Sequence, residues 1–328
     1  MTSSPSAVVR LPGSFDVQRL EAELEAVGTS QFKAQRTFDR SRVTAATTVD
    51  WRVLPLRSPG GDPERTDPGG PGTVEYADTP WIRETPYMAS ILDSLPTTLR
   101  TARLMVLAPG AEVDEHRDYP YGPGAGWVRL HVPILTNDRA ASVIDGQKQQ
   151  WQPGTFWYGD FSLPHSVYNR GTTNRVHLVV DCYVNRALLD LFPEEFRNDI
   201  RWTEVLLNPD VVPLSSEDLD ACTGRVGVPA AFLQGDGPEA LIAGGAPDLP
   251  AQLRRDGDRL LLDVEGADAI ALVHVGGGLF RTAGWTTERT VHIHPVDGGL
   301  TAGFRVRYGS RVAEETRRGD SRIPTAVA

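Results

Sequence analysis

The sequence predicts a mainly β protein: a barrel or jelly roll with flanking helices, followed by a smaller C-terminal α+β domain. Three observations carry this. Short β-branched and aromatic runs at 101–108, 127–135, 142–151, 154–158 and 175–184 are separated by Pro/Gly turns. Little helical periodicity lies between them, which argues against alternating β–α–β units. From about residue 212 the texture changes to short helical runs and then Gly-punctuated strands.

The elements follow in order. Residues 7–12 (AVVRLP) read as a short strand, and SFDVQRLEAELEAV carries Val17, Leu20, Leu24 and Val27 at helical spacing, with Ser14 as the expected N-cap. Residues 43–56 (VTAATTVDWRVLPL) are rich in β-branched side chains and read as one or two strands. The stretch 57–72, RSPGGDPERTDPGGPG, is too rich in Pro, Gly and charge to bury a core, and predicts a mobile loop. A lid over a substrate is the sharper alternative; its glycines lack the strand and helix context of a phosphate-binding loop. TPYMASILDSLPTT places Tyr87, Ile91 and Leu95 at helical spacing, and ALLDLFPEEFRNDI predicts a helix closing a first domain over 1–211.

In the second part, SSEDLDACTGRVGVPAAFL, GPEALIAG and LPAQLRRD are helical candidates. RLLLDV, AIALVHV, GLFRT, RTVHIH and GGLTAGFRVRYG read as strands joined by Gly-rich turns. The expected α+β domain covers 212–316, with a flexible tail over 317–328.

The formal net charge of −10, with no dense basic run, argues against nucleic acid or an anionic membrane as partner. The two cysteines, Cys182 and Cys222, form no CxxC pair, which fits a reduced compartment. The N-terminal MTSSPSAVVR has no charged stretch leading into an apolar run, and no run approaches the ~18 apolar residues of a membrane span. A cytoplasmic protein is expected.

The chemistry concentrates between Leu104 and Val184. His116 and Asp118 are two apart, so on a strand or its extended end both side chains point to one face. With His165 they supply two imidazoles and one carboxylate, the facial donor set of non-haem Fe(II) sites with open positions. Each alone has a plainer reading, as a surface His, a solvated Asp and a turn His. HRD is also a fragment of the kinase catalytic loop, but no DFG, strand lysine or matching Gly-rich loop accompanies it.

In RVHLVVDCYV, Arg175, His177, Val179 and Asp181 share one face. An Arg inside a barrel needs an anion, which a bound dicarboxylate, Asp160 or Asp181 would each supply. WVRLHVPIL turns Arg129 and His131 inward to extend a cationic lining, unless Arg129 pairs with Asp114 or Glu115. Trp127, Trp151, Trp157 and Tyr158 read as core or pocket wall, and the His292/His294 pair as surface or core histidines without a third ligand.

Taken together, HRDY, VRLHVPILTN, GTFWYGDFSLPHSVYN and NRVHLVVD resemble the aspartyl/asparaginyl β-hydroxylase family of Fe(II)- and 2-oxoglutarate-dependent oxygenases, most closely its bacterial free-proline hydroxylases. The resemblance covers about residues 85–190. It implies a double-stranded β-helix, with His116, Asp118 and His165 as the Fe(II) ligands. It further implies that Arg175 clamps 2-oxoglutarate, that Arg129 and His131 are additional co-substrate contacts, and that O2 is consumed. The implied reaction hydroxylates an unactivated side-chain carbon of an amino acid, free or within a small peptide or natural-product precursor. Asp118 sets the chain apart from the family's animal aspartyl hydroxylases, which lack the carboxylate ligand. The β-rich C-terminal region departs from the helical ending of its proline hydroxylases. Two other classes share such a barrel: a cupin-like metal isomerase or dioxygenase without 2-oxoglutarate, and a non-enzymatic ligand-binding jelly roll.

Overall fold

The computed structural model of the chain describes residues 6–38, 44–119, 122–234, 237–243 and 247–320. It divides into two compact units. The first comprises Met1–Gly69, Tyr76–Pro123 and Trp127–Trp202; the second comprises Gly70–Glu75, Gly124–Gly126 and Thr203–Ala328.

The strands of the first unit are β1 (Val8–Ser14), β2 (Lys33–Ala34), β3 (Arg36–Phe38), β4 (Thr44–Ala46), β5 (Trp51–Pro59), β6 (Tyr76–Asp78) and β7 (Leu99–Leu107). They continue with β8 (Glu112–His116), β9 (Trp127–Leu135), β10 (Ala140–Ile144), β11 (Gln147–Gln149), β12 (Thr155–Gly159), β13 (His165–Asn169) and β14 (Arg175–Tyr183). Its helices are α1 (Val17–Val27), α2 (Pro86–Asp93), α3 (Arg186–Leu189) and α4 (Glu194–Asp199).

A large sheet runs β1-β12-β9-β14-β7-β5-β2, with β6 paired to β5, and a smaller sheet runs β11-β10-β13-β8. From β7 to β14 the chain passes back and forth between these two antiparallel sheets, as in the jelly roll that the sequence predicts. β9 and β14 are buried along nearly their whole length, because β14 lies between β9 and β7 in the middle of the large sheet. α1 turns Leu20, Leu24 and Val27 inward at helical spacing.

Several local expectations shift. The N-cap of α1 is Asp16, whose side chain accepts from the Arg19 N–H at 3.2 Å, and not Ser14, which is still in β1 opposite Thr155. The expected strand 142–151 is a hairpin, β10 and β11, turning through Asp145 and Gly146 at φ 49° and 73°. An Asp-Gly pair suits such a tight turn because both residues tolerate the left-handed region. The helix expected over ALLDLFPEEFRNDI is two short helices broken before Pro193, which cannot continue α3.

Of the segment expected as a mobile loop, 57–72, the first three residues belong to β5 and the irregular stretch after them is anchored. β5 runs on to Pro59, Thr66 donates to the Ala34 carbonyl at 2.9 Å, and Asp67 is buried against Arg65 at 2.8 Å. Gly69 sits at φ 70°, where a Cβ would lie 2.5 Å from the Tyr76 hydroxyl, so no other residue fits there. Gly72 belongs to the second unit, where it bridges to Ala283.

The second unit closes a barrel from β15 (Gly224–Pro229), β16 (Asp248–Asp256), β17 (Arg259–Val264), β18 (Ile270–His274), β19 (Leu279–Thr282), β20 (Arg289–Val296), β21 (Gly299–Tyr308) and β22 (Arg311–Asp320). The short helices α5 (Ser216–Ala221), α6 (Ala230–Leu233) and α7 (Pro238–Ala243) accompany it. LPAQLRRD, expected as a helix, lies in β16. Its alternating burial of Ala251 and Leu253, and pairing to β15 and β17, override its weak helical pattern. β22 pairs with β21 as far as Asp320, so 317–320 are strand and not tail; 321–328 lie outside the described residues.

The barrel core includes Leu253, Leu260, Leu262, Val291, Leu300 and Phe304. Phe304 is fully buried, edge-on to Phe232 at 5.2 Å. Phe304→Ala is expected to cost ~3–5 kcal/mol through lost burial and a residual cavity, measured by urea denaturation.

Candidate metal centre

His116 ends β8, and the chain beyond it stays extended because the Asp118 N–H donates to the Phe161 carbonyl at 3.0 Å. His165 opens β13 directly after Pro164 and is the register partner of His116 across the β13–β8 pair. Opposed residues of an antiparallel pair have Cβ atoms roughly 5 Å apart. The sheet thereby joins two histidines that are distant in sequence, with ring centroids 4.2 Å apart. His116, Asp118 and His165 each offer one donor atom, and the three atoms all lie within 4.8 Å of one another. His165 is buried, whereas His116 and Asp118 are partly open.

The donor chemistry fits a metal ion. His116 Nδ1 lies 2.8 Å from the Asp114 carbonyl, and His165 Nδ1 lies 3.0 Å from the Leu163 carbonyl. Each Nδ1 therefore carries its proton toward a backbone oxygen and leaves Nε2 as the free donor, the usual orientation of a metal-binding imidazole. Desolvation and the weaker repulsion of His116 and Arg129 push the His165 pKa down despite the pull of Asp118. The Asp118 carboxylate, with Oδ1 3.6 Å from His116 Nε2, pushes the His116 pKa up.

Behind the triad, the inward faces of β9, β14 and β7 carry a charged layer. Arg129 Nη1 donates to Asp118 Oδ2 at 2.8 Å. Its Nε and Nη2 donate to the two oxygens of Asp181 at 2.7 and 3.1 Å. Asp181, without solvent exposure, also accepts from Thr101 Oγ1 at 2.8 Å and Arg103 Nη2 at 3.4 Å. Arg129, expected as a co-substrate contact, thus directs these bonds to Asp118 and Asp181, and pairs with neither Asp114 nor Glu115. Asp181, one of the anions considered for Arg175 because both lie on one face of β14, has Arg129 as its register partner on β9.

Arg175 stands differently. It is buried, its Nη2 donates to Ser142 Oγ at 2.9 Å and approaches His177 Nδ1 at 3.5 Å, and no carboxylate pairs with it among the described residues. Burial alone pushes its pKa down to about 10. Next to it His131 and His177 touch through their Nδ1 atoms at 3.4 Å. Desolvation first, and then nearby guanidinium charge, holds both imidazoles well below the usual histidine range, so they are neutral. His131 Nε2 and Trp151 Nε1 are buried without a hydrogen-bond partner, and their rings lie 5.1 Å apart.

Arg175, His131, His177, Trp151 and Ser142 form a buried polar cluster. Ser142 and the polar role of Trp151 escaped sequence reasoning, since neither carries a local signal. On the same inward face, Val53, Met105, Val179 and Trp51 pack into a small apolar wall. The His292/His294 pair of the second unit gathers no third donor among the described residues; His292 Nε2 instead meets the Gly277 carbonyl at 2.9 Å.

The model of the aspartyl/asparaginyl β-hydroxylases matches residues 14–184, just over half of the 328-residue chain. The chain belongs to this family. All three metal-donor candidates and Arg175 lie inside the matched region. Among curated relatives of this hydroxylase-family chain are an ornithine lipid ester-linked acyl 2-hydroxylase of Rhizobium tropici and an L-proline cis-4-hydroxylase of Rhizobium meliloti (strain 1021). The first is 28% identical over 190 residues, 54% of this chain and 60% of the relative. The second is 24% identical over 188 residues, 57% of this chain and 62% of the relative. The chain therefore spans less than two thirds of either.

Similar solved structures include a 2OG-Fe(II) oxygenase family oxidoreductase from Burkholderia pseudomallei, at 14% identity and TM-score 0.34 over 55% of this chain and 85% of that one. Another is a prolyl hydroxylase from Trichoplax adhaerens in complex with a hypoxia inducible factor peptide fragment, at 12% identity and TM-score 0.37 over 56% and 86%. No helix among the described residues is long and apolar enough to cross a membrane.

Proposed function

We propose that this chain is an Fe(II)- and 2-oxoglutarate-dependent dioxygenase that hydroxylates an unactivated side-chain carbon of an amino acid, free or within a small peptide. The observation that carries the reading is one pairing: a two-histidine, one-carboxylate donor group beside a buried arginine that has no carboxylate of its own. Family membership and the two curated hydroxylase relatives support the same reaction class.

In this reading His116, Asp118 and His165 hold the iron, which with 2-oxoglutarate and O2 supplies the oxidant for C–H hydroxylation and yields succinate and CO2. The chain's own residues bind and orient. Arg175 offers a guanidinium to the far carboxylate of the co-substrate, with Ser142 fixing its orientation. His131 and Trp151 offer the buried polar atoms that otherwise lack partners, and their neutrality or lack of charge avoids adding a second cation there. Arg129 stands at Asp118, so its part is played on the ligand side. The wall of Val53, Met105, Val179 and Trp51 suits the aliphatic part of a substrate and keeps water from the reacting carbon.

Substrate-dependent succinate release across a panel of amino acids and short peptides tests the reaction. A weak visible charge-transfer band on anaerobic addition of Fe(II) and 2-oxoglutarate tests the co-substrate independently. No band and no succinate with any panel member overturns the reading. Arg175→Ala is expected to raise the 2-oxoglutarate KM roughly 10- to 100-fold, the equivalent of losing a charge-assisted hydrogen bond of about 1.5–3 kcal/mol. Steady-state kinetics at varied 2-oxoglutarate measures this; an unchanged KM removes Arg175 from the role.

A further inference from the structure

We propose that Arg129 makes Asp118 a one-oxygen metal ligand and so keeps a coordination position free beside the two histidines. The inference rests on the metal-binding reading above and names a positioning residue within it. A carboxylate facing a cation binds through one oxygen or through both. Here the two oxygens of Asp118 have different neighbours: Oδ1 lies 3.6 Å from His116 Nε2, and Oδ2 is held at 2.8 Å by Arg129 Nη1.

The guanidinium cannot easily turn away. Its Nε and Nη2 form a two-point fork with Asp181, its register partner on β14, at 2.7 and 3.1 Å. Asp181 is fixed in turn by Thr101 and Arg103, and both Arg129 and Asp181 are buried. A planar, forked donor serves two carboxylates at once in a way that a lysine could not. With Oδ2 committed, only Oδ1 points toward the imidazoles. In an octahedral ion, three single-atom protein ligands leave about three positions, and a chelating Asp118 would leave about two. A co-substrate that binds through two atoms and a further reactant need all of those positions.

Water-proton relaxation of the Mn(II)-loaded protein counts the exchangeable waters on the metal and so reads this directly. Wild type is compared with Arg129→Met and with the double variant Arg129→Met/Asp181→Asn, which removes charge and counter-charge together so that no buried carboxylate is stranded. The freed carboxylate chelates, and relaxivity per bound Mn(II) is expected to fall by about a third in both variants. Unchanged relaxivity in the double variant overturns the proposal. Unchanged relaxivity with weakened 2-oxoglutarate binding also overturns it, assigning Arg129 to the co-substrate. A separate control isolates the underlying reading: if wild type binds no Mn(II) that His165→Ala abolishes, the metal centre itself is wrong.

Discussion

His116→Ala and His165→Ala are each expected to abolish turnover and to lower metal affinity by more than about 100-fold, because loss of residues that merely orient a ligand already costs ~10–100-fold. The fold should survive both. His116 is partly exposed at the last position of β8, and neither histidine forms an ion pair that holds the two sheets together. Both imidazoles present Nε2 while a backbone carbonyl occupies Nδ1, and Asp118, which faces His116, keeps its bond from Arg129 in either variant. Calorimetric titration with Mn(II), paired with circular dichroism, separates the effects. Wild-type affinity in either variant sinks the metal assignment; loss of the folded signal would instead make the histidines structural.

Asp181→Ala is expected to destabilise the protein by ~3–5 kcal/mol, among the largest single-residue effects available in the first unit. The carboxylate is buried in the large sheet with Arg129 and Arg103 on it, and its removal takes a counter-charge from two buried guanidinium groups. Burial tends to raise its pKa, but the charges of Arg129 and Arg103 outweigh this and hold it well below the usual carboxylate range. A depressed folded-state pKa contributes stability that is present above the unfolded value of about 3.9 and is lost as pH falls below it. Urea denaturation from pH 7 down to pH 2 should therefore show wild type losing stability below about pH 4, with Asp181→Asn flatter over that range. A midpoint for Asp181→Ala equal to wild type would place the charge layer outside the stabilising core.

The candidate donor group was legible from residue type and spacing. His116 and Asp118 share a face because strand side chains alternate, and the alternation of RVHLVVDCYV placed Arg175, His177 and Asp181 on one side. The partners of these charges were not legible. Which arginine meets which carboxylate depends on register, and β14 brings Asp181 opposite Arg129 while Arg175 lies opposite Leu107. That pairing, invisible in the chain, ties Arg129 to Asp118 and Asp181 and gives Arg175 no carboxylate partner among the described residues. The anchoring of the irregular stretch after β5 was hidden for a similar reason: composition reads Pro and Gly as solvated, yet Asp67 and Gly69 are held by Arg65 and by the tight approach of Tyr76. LPAQLRRD became a strand because pairing on both edges outweighs a short apolar periodicity.

By itself the sequence determined the alternation of short strands and turns, the residue types of the candidate donor group, and membership of a hydroxylase family, because these depend on near-neighbour periodicity and on side-chain chemistry. The tertiary structure decided which distant residues meet. Strand register set His165 against His116, tied Asp118 through Arg129 to Asp181, and placed Arg175 beside Ser142 and His177. In a low-dielectric interior those long-range pairings, more than the residue types alone, settle where charge is balanced and where a bound anion is wanted.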